Sequence, residues 1–346
     1  MADTRPSPIV QLTLWRLREF LREPEALFWV FAFPILLAFA LGIAFRSRGP
    51  QAIQIAVEDG PLASLTAADL RRSPRLDVHV LDSAAAHDAL HGGRFALVVR
   101  PGASPAITYD STRSESEVAR LVVTNALQGA AGREDPIAIR GVGVTEPGAR
   151  YIDFLIPGLL GLNIMGTGMW GVGFGIVKNR TEKLLKRFLA SPMRRSEYLL
   201  SFILARLVFL GLEVAALLLF GHWAFGVPLR GSLLVLAAIV VLGAMTFAGL
   251  GTLVASRART IEGVSGLMNL VMVPMWIFSG VFFAYSNFPD SVQVAARVLP
   301  LTALNDALRA VLLDGATLWG TAAELGVMTA WAVIAFALAL KMFRWE

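Results

Sequence analysis

The sequence predicts an α-helical integral membrane protein with six transmembrane helices and a small inserted extracytoplasmic α/β domain. Three observations support this fold class. The composition is 55% hydrophobic and only 16% charged, whereas soluble domains carry about 25% charged residues. Six apolar runs reach the roughly 20 residues that a helix needs to cross a bilayer. Between the first two runs lies a polar stretch, 46–150, with short strand and helix patterns.

Composition also excludes several classes of function. The net charge of +5 does not indicate a nucleic-acid binder, because the basic residues flank apolar runs instead of forming one face with interleaved aromatic rings. The chain has no cysteine, which excludes disulfides, thiolate metal sites and a cysteine nucleophile. The serines of the polar stretch lack a G-x-S-x-G context, so no hydrolase is indicated. We therefore predict no catalytic residue, no bound cofactor or metal, and no nucleic-acid partner.

Residues 1–24 are predicted to form a cytoplasmic amphipathic helix that lies on the inner leaflet. Trp15 and other apolar side chains alternate with arginines such as Arg16 and Arg18, and a tryptophan suits the interfacial depth. The alternative is a cytoplasmic extension of the first membrane helix, which Pro24 disfavours because proline interrupts a helix.

The six apolar runs are predicted to be membrane spans because each is long and carries few charges. The first run contains a small-x-small pattern found at signal-peptide cleavage sites. Its length and the charged segment before it favour a retained span. The predicted spans are 25–45 (TM1), 151–177 (TM2) and, within the segment 196–346 (TM3–TM6), 197–225, 231–255, 263–284 and 318–342.

Basic residues set the orientation of these spans. Outside 46–150, fifteen Lys and Arg residues fall on one predicted side of the membrane and three on the other. Since short cytoplasmic segments carry the excess of Lys and Arg, both termini are predicted to face the cytoplasm. The stretch 46–150 then lies outside, in a multi-pass protein of the cytoplasmic (inner) membrane.

The stretch 46–150 is predicted to form one α/β domain with mixed strand order. His87 and His91 lie four residues apart on one helix face, which suits either a metal pair or a solvated surface. No H-E-x-x-H arrangement accompanies them, so we favour the solvated surface. The β-rich runs are 53–57, 76–81, 95–100, 106–109 and 137–144, and the helical patterns are 62–72, 83–91 and 114–128.

The segment 178–195, between TM2 and the third span, predicts a short amphipathic helix. Apolar side chains recur on one side at helical spacing and charged side chains occupy the other. Pro192 ends the helix, because proline cannot continue it. Such a helix either lies on lipid or docks into a partner. The apolar side comprises Leu184, Leu185, Phe188 and Leu189, and the charged side comprises Glu182, Lys183, Lys186 and Arg187.

Two charged residues lie inside the third span. Glu213 follows Arg206 by two turns, and an intramembrane carboxylate marks a functional site by default. A structural ion pair or a water-exposed position is the alternative.

In TM2, Gly171 and Gly175 form a G-x-x-x-G pair, which serves equally for packing within the subunit or at a homodimer seam.

The outer segment 288–314 is apolar but broken by prolines and charges, so it is too short and too charged for two spans. Two short helices that dip into the outer leaflet and return keep their backbone hydrogen bonds satisfied. This segment contains Pro289, Pro300, Asp306 and Arg309.

The order of these parts resembles the ABC-2 type transporter permeases, the membrane subunits of bacterial and archaeal ABC exporters, in a form with a large external domain after the first span. The resemblance covers essentially the whole chain. Its most specific stretches are DFLIPGLLGLNIMG (153–166), TEKLLKRFLASPMRRSEYLL (181–200), TIEGVSGLMNLVMVPMWIFSG (260–280) and LPLTALNDALRA (299–310).

The resemblance implies a role for three segments. The segment 181–190 corresponds to the coupling helix that enters a groove of the ATPase subunit. The segment 16–22 helps to form a connecting helix beside the same subunit, and 289–313 is the re-entrant hairpin. The implied coupling residues are Thr181, Glu182, Leu184, Leu185, Lys186, Phe188 and Leu189, and the connecting-helix residues are Trp15, Arg16 and Arg18.

No Gly-Lys dipeptide occurs in the chain, so a Walker A loop is absent. ATP and Mg²⁺ are therefore expected on a separate ABC ATPase subunit, and this chain is not expected to be an enzyme. Six spans are half of what such exporters use, which implies a second permease copy or a sister permease.

The expected function is outward movement of an amphipathic, lipid-like or drug-like substrate. The alternatives are a self-contained secondary transporter that uses Glu213 and a membrane-anchored sensor whose external domain binds a ligand.

Overall fold

The computed structural model describes residues 8–45, 52–133, 137, 148, 150–181, 195–258 and 260–342. The chain divides into two compact units. The helical unit comprises Met1–Arg46 and Thr145–Glu346, and the sheet unit comprises Ser47–Val144.

The helical unit begins with two separate helices, α1 (Pro8–Leu21) and α2 (Pro24–Ala44). Pro24 starts the second helix, because its missing N–H and fixed φ suit the first turn of a helix. α1 is therefore not a continuous extension of α2. It packs against the third span through Phe20 and Phe209, whose ring centroids are 4.2 Å apart.

The sheet unit contains a four-stranded sheet in the order β2-β1-β3-β4. β1 pairs in parallel with β2 and β3, and β4 pairs antiparallel with β3. The predicted mixed sheet is thus present. Its strands are β1 (Ile53–Glu58), β2 (Leu76–Leu81), β3 (Leu97–Arg100) and β4 (Ala106–Tyr109), and its helices are α3 (Ala63–Arg71), α4 (Ser83–His91) and α5 (Ser114–Ala130).

The two faces of this sheet are covered by different helices. Ile55 and Val57 point to the face covered by α3 and α5, whereas Ala56 points to the face covered by α4, as the two-residue period of a strand requires. The fifth predicted strand, 137–144, lies outside the described residues except for Ile137, which is in a bend.

Six helices in the described part of the chain are long and apolar enough to cross a membrane, as the sequence predicts. The fifth span is shorter than predicted. It ends at Phe278 and not at 284, because the chain turns at Gly280 with φ +68°. After α2, the helices of this unit are α6 (151–181, with a π-helical turn at Met169–Phe174), α7 (Arg195–Phe225), α8 (Leu233–Arg257), α9 (Ile261–Phe278), α10 (Asp290–Val298), α11 (Pro300–Asp314) and α12 (Ala322–Met342).

α6 lies at the centre of the helical unit, where it packs against α2, α7, α8 and α11. Its glycines mark the close approaches, because small residues let membrane helices come near each other. Gly168 faces Phe247, and Gly173 faces the backbone of Gly251. Gly171 faces Arg206 of the same chain, whereas a side chain at Gly175 would meet nothing within 4 Å in the described residues. Of the predicted G-x-x-x-G pair, Gly171 therefore packs against another helix in the described part of the chain, whereas Gly175 does not.

The segment 288–314 forms two short helices, α10 and α11, as predicted. Pro289 caps the first and Pro300 begins the second, positions at which proline costs no helical hydrogen bond. α11 is largely buried and ends at Gly315, whose φ of +71° terminates the helix. The indole N–H of Trp331 in α12 donates to the carbonyl of Val298 at 2.8 Å, which holds the junction of the two short helices.

Candidate functional site

The segment 181–190, which the resemblance implies to be the coupling helix and which we call the coupling segment, begins where α6 ends. Thr181 is the last residue of α6, and its hydroxyl donates to the Lys178 carbonyl at 2.9 Å. The Arg180 guanidinium donates to the Ala258 carbonyl at 3.2 Å, which connects this end of α6 to the residue after α8. The other implied coupling residues lie outside the described residues: Glu182, Leu184, Leu185, Lys186, Phe188 and Leu189.

The implied connecting-helix residues lie on α1. Trp15 is 58% exposed, and Arg18 lies in the last turn. Arg16 belongs to the same helix, but its side chain is outside the description. α1 packs against α7, so an exposed apolar side chain and a basic residue lie on a helix that is anchored to the third span.

Arg309 makes several polar contacts between α11 and neighbouring elements. Its guanidinium carbon lies 3.7 Å from the centroid of the Phe154 ring. It donates to the carbonyl of Gly280 and, at 3.4 Å, to the carbonyl of Phe154. It also lies 3.4 Å from the carboxylate of Asp306, one turn earlier on α11. One side chain thereby links α11 to α6 and to the chain after α9.

Asn305 makes a second link between the same elements. It is fully buried, and its amide donates to the Ser279 carbonyl at 2.9 Å. Its side-chain oxygen lies against Gly161, where a Cβ would overlap it, and a Cβ at Gly158 would overlap the Val281 carbonyl. The glycines of α6 therefore create the space in which α11 and the end of α9 rest.

The start of α6 is fixed by an ion pair. Arg150 donates to the Asp153 carboxylate at 2.7 and 2.9 Å and to the Phe225 carbonyl at 2.8 Å. The same carboxylate accepts the backbone N–H of Gly148 at 2.8 Å. Asp153 is fully buried, and it satisfies N–H groups that the helix start leaves without partners. This cluster joins the beginning of α6 to the end of α7.

Arg206 and Glu213 both lie on the side of α7 that faces α6. The Arg206 guanidinium packs against Gly171, at 3.1 Å from the position of a Cβ there. Glu213 is 2% exposed, and neither of its carboxylate oxygens has a hydrogen-bond partner in the described part of the chain. The sequence placed this pair correctly inside the third span, but the two side chains do not form a hydrogen-bonded ion pair.

The sheet unit has its own charged cluster, which sequence reasoning missed. Glu58 at the end of β1 accepts a 2.7 Å hydrogen bond from Arg100 at the end of β3, and the Ser83 hydroxyl lies 3.4 Å away. The hydrogen bond from Arg100 lowers the pKa of Glu58 below its ordinary value, against the opposing effect of burial. The two residues are far apart in the chain, and only the pairing of β1 with β3 brings them together.

His87 and His91 lie on the exposed side of α4, with ring centroids 5.3 Å apart. Within the described residues, no group of three or more His, Cys, Asp or Glu side chains is placed to hold a metal ion. Both histidine side chains are exposed to solvent on this helix.

A family model of ABC-2 family transporter proteins matches residues 24–341, which is most of the chain. The chain belongs to the ABC-2 transporter family. This membership confirms the resemblance predicted from the sequence. Together with the six apolar helices, it establishes a multi-pass membrane protein. ABC-2 family permeases are transport subunits and not enzymes.

Individual ABC-2 relatives match parts of the chain. The chain is 27% identical over 176 residues to the linearmycin resistance permease protein LnrN of Bacillus subtilis. It is 24% identical over 188 residues to the probable multidrug ABC transporter permease YbhR of Escherichia coli, and 33% identical over 132 residues to nodulation protein J of Bradyrhizobium diazoefficiens. These alignments cover 51%, 54% and 38% of this chain and 46%, 51% and 47% of the relatives. The chain thus spans about half the length of the curated relatives it matches.

Proposed function

We propose that this chain is the transmembrane subunit of an ATP-driven exporter, which moves an amphipathic, lipid-like or drug-like substrate outward. Its termini and the coupling segment face the cytoplasm, and the sheet unit lies outside the inner membrane. ATP and Mg²⁺ bind a separate ABC ATPase subunit, and a second copy of this chain or a sister permease completes the path. The names of two relatives support this class of substrate, since LnrN is called a linearmycin resistance permease and YbhR a probable multidrug transporter permease.

The continuity of α6 is the observation that carries the proposal. This helix runs from the Arg150–Asp153 cluster through the glycines that receive α11 to Thr181, where the coupling segment begins. A displacement of the coupling segment by an ATPase subunit therefore acts on one end of the most central span. Because close-packed helices transmit displacement, the movement reaches α11 through the contacts of Gly158 and Gly161.

In this proposal, the contacts of α11 connect the movement of α6 to the opening through which the substrate leaves. Arg309 and Asn305 hold α11 against α6 and against the residues after α9. In the proposed cycle, nucleotide closure of the ATPase subunits moves α6 and separates α11 from α6 or from the end of α9. The substrate leaves through the opening formed there.

The experiment is copurification of the tagged chain from its native membrane, followed by measurement of ATP hydrolysis in the purified complex. A stoichiometric ATPase is expected with the unmodified chain. The double substitution Leu185→Glu and Phe188→Glu is expected to remove it, because two charges on the apolar side of the coupling helix oppose burial in a groove.

Lys183→Glu is the matched control, because it adds an acidic residue on the charged side of the same helix. It is expected to retain the ATPase. The proposal fails if the unmodified chain purifies without any nucleotide-binding companion, or if the double variant retains normal ATPase binding and stimulation.

A further inference from the structure

Glu213 carries a buried carboxylate inside a membrane helix. The residue is 2% exposed, and in the described part of the chain neither carboxylate oxygen accepts a hydrogen bond. Burial of a carboxylate without compensation is costly, and a buried polar group without a partner requires an explanation. The Arg309 and Asp153 clusters show that charged groups elsewhere in the helical unit do have partners.

The polar side chains near Glu213 are engaged elsewhere. Thr167 lies beside it on α6, but the Thr167 hydroxyl is directed to the backbone carbonyls of Asn163 at 2.8 Å and Ile164 at 3.4 Å. Arg206 precedes Glu213 by seven residues, and its guanidinium packs on Gly171. It attracts the Glu213 carboxylate electrostatically but donates no hydrogen bond to it in the described part of the chain.

The helix that faces Glu213 is irregular at this level. The π-helical turn Met169–Phe174 begins two residues after Thr167, and such turns are frequent at functional sites because they displace side chains from regular helical positions. The turn carries Trp170 and Phe174, whose ring centroids are 5.8 Å apart. Aromatic faces stabilise cations, so this part of α6 adds a second feature that suits a positively charged ligand.

From this juxtaposition we infer that Glu213 is the anionic anchor of a binding site for lipophilic organic cations between α6 and α7. A carboxylate in a low-dielectric interior attracts a cation strongly, and the apolar wall of the same contact accommodates the hydrophobic part of the ligand. The site becomes accessible when α6 and α7 separate on the side that faces the coupling segment. This inference rests on the proposed export function and specifies its substrate class.

The test uses the full chain in lipid nanodiscs and radiolabelled tetraphenylphosphonium, with empty nanodiscs as the background. Triphenylphosphine oxide, a neutral compound that carries the same phenyl rings, serves as the competitor that separates charge from hydrophobicity. Saturable tetraphenylphosphonium binding is expected for the unmodified chain, with little competition by triphenylphosphine oxide. Glu213→Gln keeps the side-chain shape and removes the charge, so it is expected to weaken binding at least about tenfold, the effect of losing one charge-assisted contact.

Glu262→Gln is the matched control, because Glu262 is an exposed carboxylate in the first turn of α9. It is expected to leave tetraphenylphosphonium binding unchanged. Glu213→Asp, which keeps the charge on a shorter side chain, is expected to bind the cation more tightly than Glu213→Gln does. Equal thermal unfolding midpoints for the Gln variant and the unmodified chain establish that the loss is not due to unfolding.

Two results overturn the inference. One is the absence of saturable cation binding to the unmodified chain. The other is equal binding by the Glu213→Gln variant, which is the result expected if a proton alone neutralises Glu213. The ATPase copurification is independent of both results. Retained ATPase binding with no Glu213-dependent cation binding rejects only the cation site, whereas a chain that binds the cation but no ATPase rejects the exporter.

Discussion

The guanidinium of Arg309 lies over the ring of Phe154, 3.7 Å from its centroid. The same guanidinium donates to the carbonyls of Phe154 and Gly280. Phe154 belongs to the first turn of α6, and Gly280 forms the turn after α9, so three elements that are distant in the sequence meet at one side chain. The position of α11 relative to α6 therefore depends on a cation whose side chain is only 13% exposed.

Arg309→Met is expected to destabilise the helical unit by about 2–4 kcal/mol, because it removes a cation–π contact and hydrogen bonds from a charged donor. It also leaves Asp306 without its basic neighbour. The measurement is the thermal unfolding midpoint of the purified chain in nanodiscs. Arg297→Met on α10 is the control, because Arg297 is exposed, and it is expected to change the midpoint little. Equal midpoints for the two variants would contradict the role assigned to Arg309.

Gly161→Ala is expected to destabilise the chain by about 1–3 kcal/mol, the usual cost of overpacking. A Cβ at this position overlaps the side-chain oxygen of Asn305, and Asn305 cannot move away without losing its hydrogen bond to Ser279. Gly175→Ala on the same helix meets nothing within 4 Å in the described residues. It is expected to be neutral or to stabilise the chain by up to about 1 kcal/mol, since alanine is the better helix former.

A double variant identifies the contact that is responsible. Adding Asn305→Ala to Gly161→Ala removes the overlapping oxygen, so the double variant is expected to lose less stability than the two single losses added together. Thermal unfolding midpoints of the four chains give this coupling directly. Strictly additive losses would show that Gly161 and Asn305 do not press against each other.

The spans could be predicted from the sequence because run length and charge are local properties of the chain. The contacts of α11 could not, because hydropathy gives the length of a helix but not its neighbours. Arg309 and Asn305 act on residues of α6 and after α9 that no local pattern connects to them. Glu58 and Arg100 were missed for the same reason, since parallel pairing of β1 with β3 brings them together.

Local patterns did contain some information about the sites. The Arg150–Asp153 pair has the three-residue spacing of a helix start, which makes it readable from the sequence. Glycines at 158 and 161 indicate a close approach but not the helix that makes it. The predicted end of the fifth span at 284 was wrong because apolar residues continue past Gly280, where the backbone leaves the helix.

The stability of the sheet unit is expected to depend on pH through Glu58. Hydrogen bonding from Arg100 lowers the pKa of Glu58 in the folded state, so its stabilising effect is present above the ordinary pKa of glutamate. The effect is lost as the pH falls through the lowered pKa, because protonation removes the ion pair. The measurement is the amide hydrogen-exchange protection factor of β1 and β3 in the full chain, which relates each rate to the intrinsic rate at the same pH. Protection is expected to fall at the acidic end of a series that starts at neutral pH. Protection in a Glu58→Gln variant is expected to be lower at neutral pH and to change less on acidification.

Arg100→Gln removes the other partner of the ion pair. It is expected to reduce the pH dependence of exchange protection in β1 and β3 as Glu58→Gln does. Asp77, which lies on β2 and is about half exposed, supplies a control in the form of Asp77→Asn. This control is expected to keep the pH response of the unmodified chain. A Glu58→Gln variant with an unaltered pH response would show that another group titrates.

The proposed orientation can be tested directly, because the chain contains no cysteine and each introduced thiol is the only one present. Ala84 is exposed on α4, and Thr260 is exposed before α9. In right-side-out membrane vesicles, a membrane-impermeant maleimide is expected to label Ala84→Cys, which lies outside in the proposed topology. It is expected to label Thr260→Cys only after the vesicles are opened, because Thr260 follows Ala258, the residue that accepts a hydrogen bond from Arg180 beside the coupling segment.

Labelling of Thr260→Cys in sealed vesicles with protection of Ala84→Cys would reverse the topology. The coupling segment would then face away from any cytoplasmic ATPase, and the exporter proposal would fail with it.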